Sequence, residues 1–309
     1  MPANQTVASN DPVPYLVMLG TALCFSTNII FGRYVAPEAH PFVLAFLRWT
    51  CVALILLPFV MLARKSRVLA LVRHNLLLLA LLGILGMGIS GGGVYWGLQM
   101  TTATNATLIY SVAPVVILVL ERVFKHRPIS TREIAGAVIA FVGVATIISK
   151  GSAATLMALQ FNAGDILIAA ATLSWACYSV LLKSERLKSV RAIELFWVIA
   201  LFGAFANLPF ALTSLLQPQG MPQSVSGWQA LVGIVVISSL MAFTGYQYGV
   251  KRLGPSLAGM FMFLMTPFGV ILAVLFLNET LETYQIAAIG AVMMGVATAT
   301  VPRRKLAAR

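Results

Sequence analysis

Residues 106–114, ATLIYSVAP, and residues 258–267, AGMFMFLMTP, decide the fold of this chain. Both stretches are apolar, both open on small residues and both end in a proline. Ala106 and Gly259, and likewise Pro114 and Pro267, stand 153 positions apart. A proline inside an apolar run removes a backbone donor and kinks the helix; a membrane helix tolerates this when its neighbours satisfy the freed groups. Two such stretches in a chain of 309 residues point to two halves built on one plan.

Outward from these stretches the correspondence continues. Leu23-Cys24-Phe25-Ser26 matches Leu173-Ser174-Trp175-Ala176 at an offset of 150, each followed eight residues after the aromatic by a basic residue, Arg33 or Lys183. Trp96-Gly97 matches Tyr248-Gly249, and Gly136 with Gly143 match Ala288 with Gly295, all at 152. Apolar runs long enough to cross a ~30 Å hydrocarbon layer predict ten helices, near 14–34, 41–62, 75–99, 102–124, 134–149, 165–187, 192–216, 228–250, 256–278 and 284–301. Five helices per half is an odd number, so the second half enters the membrane from the opposite side. The expected fold is therefore an all-α integral membrane protein of ten transmembrane helices arranged as two inverted five-helix repeats. Residues 14–150 form the first repeat and 164–301 the second, with a cytoplasmic tail at 1–13 and a basic cytoplasmic tail at 302–309.

Composition agrees. Hydrophobic residues make up 60% of the chain and charged ones 10%, with a mean hydropathy of +0.92. One water-soluble core could not bury so much apolar surface. The net charge of +12 is a topology signal, because Lys and Arg concentrate on alternate loops. Arg64, Lys65, Arg67 and Arg73 fall on one side with Arg122, Lys125, Arg127, Arg132, Lys183, Arg186, Lys188, Arg191, Lys251, Arg252 and the C-terminal cluster Arg303, Arg304, Lys305 and Arg309. The other side has only Arg33 and Lys150, so both termini are expected in the cytoplasm and the protein in the inner (plasma) membrane. Nucleic acid is excluded as a partner, since the charge is accounted for by orientation. Cys24, Cys51 and Cys177 lie inside apolar spans and act as small hydrophobes; no disulfide framework is implied.

The chain resembles the drug/metabolite transporter superfamily, EamA type. The resemblance rests on 41–49 (PFVLAFLRW), on 106–114 with its partner 258–267, on 276–280 (FLNET) and on the helix of Gly136 and Gly143, and covers about residues 15 to 300. It implies a ten-helix carrier; bacterial amino-acid exporters are the members most similar. The acidic residue that closes the ninth-helix motif is Glu279, whereas the equivalent place in the first repeat is Arg127, so no symmetric pair of carboxylates is implied.

Polar residues within spans are costly and mark pathways. None of the nine acidic residues and none of the three histidines falls at mid-span, which predicts a facilitative or exchange carrier of a neutral or zwitterionic solute. Phe25 and Asn28 share a face of the first helix; Thr107, Tyr110 and Ser111 share one on the fourth; Trp175, Tyr178 and Ser179 lie on the sixth. Tyr95 and Trp96 end the third helix and Tyr246 and Gln247 the eighth, and Phe263 lies in the ninth. Together they predict a cavity with aromatic walls and hydroxyl or amide groups for an amino acid. Tyr95, Trp96 and Tyr248 also fit an interfacial aromatic belt, as Trp228 does. Arg48, the one charge inside a span, reads either as a contact for a substrate carboxylate or as a structural group bonded to backbone carbonyls. Pro114 and Pro267 are expected hinges, or static kinks that shape the cavity.

An amino-acid exporter working by alternating access is thus expected, with lipid and a small molecule as partners, a monomer as the unit, and no cofactor or metal. Multidrug efflux is the rival reading, since a neutral aromatic cavity also accepts drugs. An intramembrane enzyme is disfavoured because the sequence has no HExxH, Walker loop or paired aspartates.

Overall fold

The computed structural model of the chain describes residues 11–35, 37–63, 68–215, 220–277 and 279–300. Among the described residues ten helices are long and apolar enough to span a bilayer: α1 Val13–Val35, α2 Pro41–Met61, α3 Val68–Gly97, α4 Ala103–Lys125, α5 Thr131–Ile148, α6 Ala163–Leu182, α7 Ala192–Ser214, α8 Val225–Leu253, α9 Pro255–Leu277 and α10 Thr283–Thr300. Helices are the solution here because each satisfies its own backbone groups within one segment, which lipid cannot do for it. Local chemistry sets their ends. Ser130 with Glu133 and Asn162 with Asp165 form capping boxes at the starts of α5 and α6. Thr102 and Ser224 cap α4 and α8.

Two boundaries differ in substance from the sequence expectation. Helix α3 starts at Val68 rather than near Asn75, and Asn75 is a break within it (φ −133°, ψ 23°). Its side-chain amide donates to Leu71 O at 3.3 Å, a local bond that competes with the helical ladder. Helix α6 stops at Leu182, and a separate 3₁₀ turn, Glu185–Leu187, follows after an extended Ser184. A short helix, Ala153–Met157, lies between the two halves. The expected helix ends at 216, 278 and 301, the outermost parts of both tails, and Arg64, Lys65, Arg67, Arg303, Arg304, Lys305 and Arg309 lie outside the described residues.

Packing follows a pseudo-twofold axis. On α5, a Cβ at Gly136 would strike the carbonyl of Gly295 on α10, and one at Gly143 would lie 2.9 Å from the carbonyl of Ala288. Since Gly136 corresponds to Ala288 and Gly143 to Gly295, the two contacts are one contact repeated by symmetry. A second pair behaves alike: Gly97 on α3 faces Ile168 on α6, and its mate Gly249 on α8 faces Met18 on α1. The repeats therefore interleave, with α1 packed on α8 and α9 of the second half, and α6 on α3 and α4 of the first. Phe25 and Trp175, themselves mates, meet edge to face with centroids 6.0 Å apart. Ser26 Oγ donates to Met265 O at 2.9 Å, and Ser174 Oγ to Leu85 O at 3.0 Å.

The helices around this axis are irregular at matching points. Residues Ile84–Gly93 of α3 and Ile234–Met241 of α8 are wound as wide π turns. Helix α4 breaks between Tyr110 and Ala113, just before Pro114, and α9 tightens to a 3₁₀ turn over Phe261–Leu264, just before Pro267. Both prolines thus sit at helix breaks, as their missing N–H groups require. The α5–α10 seam supplies a test. Gly295→Ala forces a methyl into Ala140 and Gly136, an overpacking that costs about 1–3 kcal/mol. Gly290→Ala, on the same helix with nothing within 4 Å, is expected to be neutral or slightly stabilising. Thermal unfolding of both variants in one detergent checks the contrast, and equal midpoints would refute close packing at the seam.

Candidate functional site

A cavity of about 470 Å³ opens inside the bundle, within the range of small-molecule sites. Most of its wall comes from the C-terminal halves of α1 and α3, the N-terminal halves of α2 and α4 and the C-terminal half of α9, while Trp175 of α6, Phe243 of α8 and Met262, Phe263 and Met265 of α9 line it near mid-helix. It therefore communicates with one end of the bundle. At that mouth Arg33 and Glu279 pair at 2.8 Å, both about half exposed. Phe25, Tyr110, Trp175, Phe243 and Phe263 give it aromatic walls, and Asn28, Ser90, Thr107 and Ser111 give it neutral polar groups.

The opposite end is sealed. Below Phe25 and Trp175 lies a packed aromatic layer, with Trp175 and Tyr246 centroids 4.9 Å apart and Phe25 and Phe243 5.2 Å apart. Ser179 Oγ and Tyr246 OH are 2.7 Å apart, and the Gln247 amide donates to Tyr178 OH at 3.5 Å. Further along, the buried Glu121 of α4 accepts from both the backbone N–H (3.2 Å) and the hydroxyl of Ser256, at the start of α9. Lys183 Nζ donates to the carbonyls of Val250 (3.3 Å) and Lys251 (2.8 Å), which end α8. Burial pushes the Lys183 ammonium below its ordinary pKa.

Arg48 reaches the cavity wall from α2. Its Nε donates to Ser239 Oγ at 2.6 Å, Nη2 to Ser238 O at 3.0 Å and Nη1 to Tyr95 OH at 3.2 Å. Tyr95 OH donates in turn to Asn28 Oδ1 at 3.3 Å. The guanidinium carbon lies 4.8 Å from the Trp49 ring centroid and 5.8 Å from that of Phe243, contacts that favour a cation. The two serines belong to the π segment of α8, where the wide winding presents backbone carbonyls to a neighbour.

The model of the EamA-like transporter family matches residues 13–149 and 162–301, nearly the whole chain. The chain belongs to this family. Relatives across the EamA-like family include an uncharacterized transporter, YyaM, of Bacillus subtilis, 24% identical over 93% of both chains. Another uncharacterized transporter, from Archaeoglobus fulgidus, is 27% identical over 86% of this chain and 89% of its own. A solved crystal structure at 20% identity superposes with a TM-score of 0.77, covering 95% of this chain and 99% of that one, which shows the shared fold.

Within this EamA-like bundle the residues singled out from sequence divide into groups. Phe25, Asn28, Arg48, Tyr95, Thr107, Tyr110, Ser111, Pro114, Trp175 and Phe263 line the cavity. Tyr178, Ser179, Tyr246 and Gln247 do not: they are buried in the seal, because helical winding turns Tyr178 and Tyr246 towards each other's helix and away from the opening. Trp96 is partly exposed and tilts against Phe42, and Pro267 lies behind the wall. Sequence reading missed Trp49, Phe243, Ser90 and Thr266, all lining residues. The neighbour of Arg48 was the available signal for Trp49. In a background with Cys24, Cys51 and Cys177 replaced by alanine, cysteines at Asn28, Thr107 and Ser111 should react with a membrane-impermeant thiol reagent added at the open end. Cysteine at Ser179 should stay at least about tenfold slower, as a fully buried group must; equal rates would contradict the sealed end.

Proposed function

We propose that this protein is an exporter of amino acids or closely related metabolites, working by alternating access in the cytoplasmic (inner) membrane. The observation that carries the reading is the cavity at the pseudo-twofold axis, aromatic and almost free of charge, open at one end and sealed at the other. Aromatic walls suit an apolar side chain, and Asn28, Thr107 and Ser111 suit amino and carboxyl groups. Met262 and Met265 in the α9 wall favour a broader second reading, efflux of lipophilic drugs, because Met adapts to varied shapes. The sealed end carries Arg122, Lys125, Lys183, Arg186, Lys188, Arg191, Lys251 and Arg252, while the open end carries Arg33 and Lys150. The excess of positive charge supports a cytoplasmic position for the sealed end, and with it an outward-facing cavity.

The inverted repeats then supply the inward-facing state by exchange of roles. Lys183 now caps the carbonyls that end α8, whereas its mate Arg33 leaves the matching carbonyls of Leu98 and Gln99 and pairs with Glu279. In the other state Arg33 caps the end of α3 and Lys183 lets go, with Pro114 and Pro267 as the bending points. Glu121→Gln combined with Lys183→Met weakens the sealed end. Spin labels at positions 186 and 251 should then show a longer distance population, and labels at 99 and 280 a shorter one; unchanged distributions at both ends would exclude the exchange.

Glu279 is the one acidic lining residue, and it is paired at the mouth, which favours flux without a proton gradient. Proteoliposomes loaded with labelled neutral amino acids should release them with equal pH on both sides, and Trp175→Ala should reduce this at least about tenfold, consistent with the loss of an aromatic wall. Transport of lipophilic cations but of no amino acid would replace the amino-acid reading with drug efflux.

A further inference from the structure

Arg48 is a buried cation in the hydrocarbon depth of the bundle, 7% exposed, and its electrostatics are unbalanced. All of the acidic side chains are among the described residues, and none forms an ion pair with Arg48. Its three hydrogen bonds go to a hydroxyl, a phenol and a backbone carbonyl, all neutral. A guanidinium has five N–H groups, so one remains on each terminal nitrogen. That is the number a carboxylate takes up when it bonds in fork geometry.

A second observation points the same way. Trp49, the next residue and also part of the cavity wall, is 1% exposed, and its indole Nε1–H has no hydrogen-bond partner. A Cβ added at Gly91, another lining residue, would come 3.5 Å from this nitrogen, which places it beside the cavity wall formed by the π segment of α3. An indole N–H can only donate, and leaving it unpaired while buried is costly. The wall of α2 thus holds a positive charge and donors that bond no acceptor, side by side.

We propose that Arg48 and Trp49 form a carboxylate subsite, and that this transporter selects solutes bearing one carboxylate group. The subsite deepens the amino-acid reading and rests on it only for transport; binding tests it separately. The carboxylate neutralises Arg48 and accepts the Trp49 N–H, while the aromatic walls of Phe25, Trp175 and Phe243 hold the remainder of the solute. The acidic lining residue, Glu279, is held by Arg33 at the mouth, so the carboxylate and not the amine carries the recognition. The geometry is also one-sided: 150 positions on, the place of Arg48 is taken by Val198, buried and apolar.

The experiment uses the purified full chain and four probes: L-phenylalanine, L-phenylalaninamide, 3-phenylpropanoate and 3-phenylpropanamide. Tryptophan fluorescence, with Trp49 and Trp175 in the cavity wall, reads binding. Each acid is expected to bind about tenfold or more tightly than its amide, the scale of a lost hydrogen bond to a charged group. Arg48→Gln should bring the acid-to-amide ratio to about one, and Trp49→Phe should weaken the acids several-fold without affecting the amides. If Arg48→Gln fails to elute as a monodisperse species, Arg48→Lys and Trp49→Phe decide, each expected to shrink the ratio. Equal binding of acids and amides by the wild type, no saturable binding of any probe, or a ratio unchanged in the variants would overturn the subsite. Selective binding of 3-phenylpropanoate with no binding of phenylalanine would keep the subsite and overturn the amino-acid reading.

Discussion

The backbones of α5 and α10 touch, and the geometry of the rest of the protein depends on that touch. At Gly136, Gly143 and Gly295 a hydrogen stands where any other residue has a carbon, so the two helices approach until carbonyl oxygens meet the opposing chain. In lipid no hydrophobic force drives helices together, and close van der Waals contact between small residues takes its place. Because the contacts occur twice, once from each half, the seam also defines the axis about which the halves are related. An axis held rigidly at one edge of the bundle leaves the other helices free to differ at their two ends.

Those other helices are the ones whose winding departs from the α form. Wide turns in α3 and α8 and tight or broken turns in α4 and α9 occur at corresponding places, around the Phe25 and Trp175 contact on the axis. A perfect α-helix has every carbonyl occupied and offers nothing to a neighbour. The irregular turns release polar backbone, and the bundle uses it: Ser238 O receives Arg48 and Leu85 O receives Ser174, while Met265 O, just past the tight turn of α9, receives Ser26. Non-helical backbone at membrane depth is tolerable where protein or a cavity surrounds it. The cavity and the polar links between repeats therefore have one cause.

The ten spans and the inverted repeat were legible because hydropathy and a duplicated pattern act over twenty or more residues, and local errors average out. The break at Asn75 was hidden because its cause is a single side chain bonding to its own backbone. The π turns were hidden for a related reason: the glycines of Ile84–Gly93 mark a pliable helix, but its winding depends on what packs against it. For the cavity, Asn28, Thr107, Ser111 and Trp175 could be chosen by polarity at mid-span. Tyr178, Ser179, Tyr246 and Gln247 looked equally suitable, because hydroxyl groups that face each other across two helices have the same sequence signature as hydroxyl groups that face a ligand. Only the rotation of α6 against α8 separates the cases. Trp49 went unnoticed because an aromatic among apolar neighbours reads as core, and in burial it is core; the unpaired N–H appears only in three dimensions.

The two repeats are alike in frame and unlike in charge, and this difference has energetic weight. Glu121 ties the end of α4 to the start of α9 at the sealed end, but 153 positions on its place is taken by Val274, which cannot make the same tie at the opposite end. If both states shared every other contact, the lone tie would favour the present one. A buried hydrogen bond to a carboxylate contributes about 1.5–3 kcal/mol, equivalent to a population ratio of roughly ten to a hundred or more. A carrier with such a bias rests with its cavity facing the poorly charged end, and a solute moves it only through unequal affinity for the two states. In the proposed alternating-access cycle symmetry makes the second state available, and the departures from symmetry decide which state the empty protein occupies.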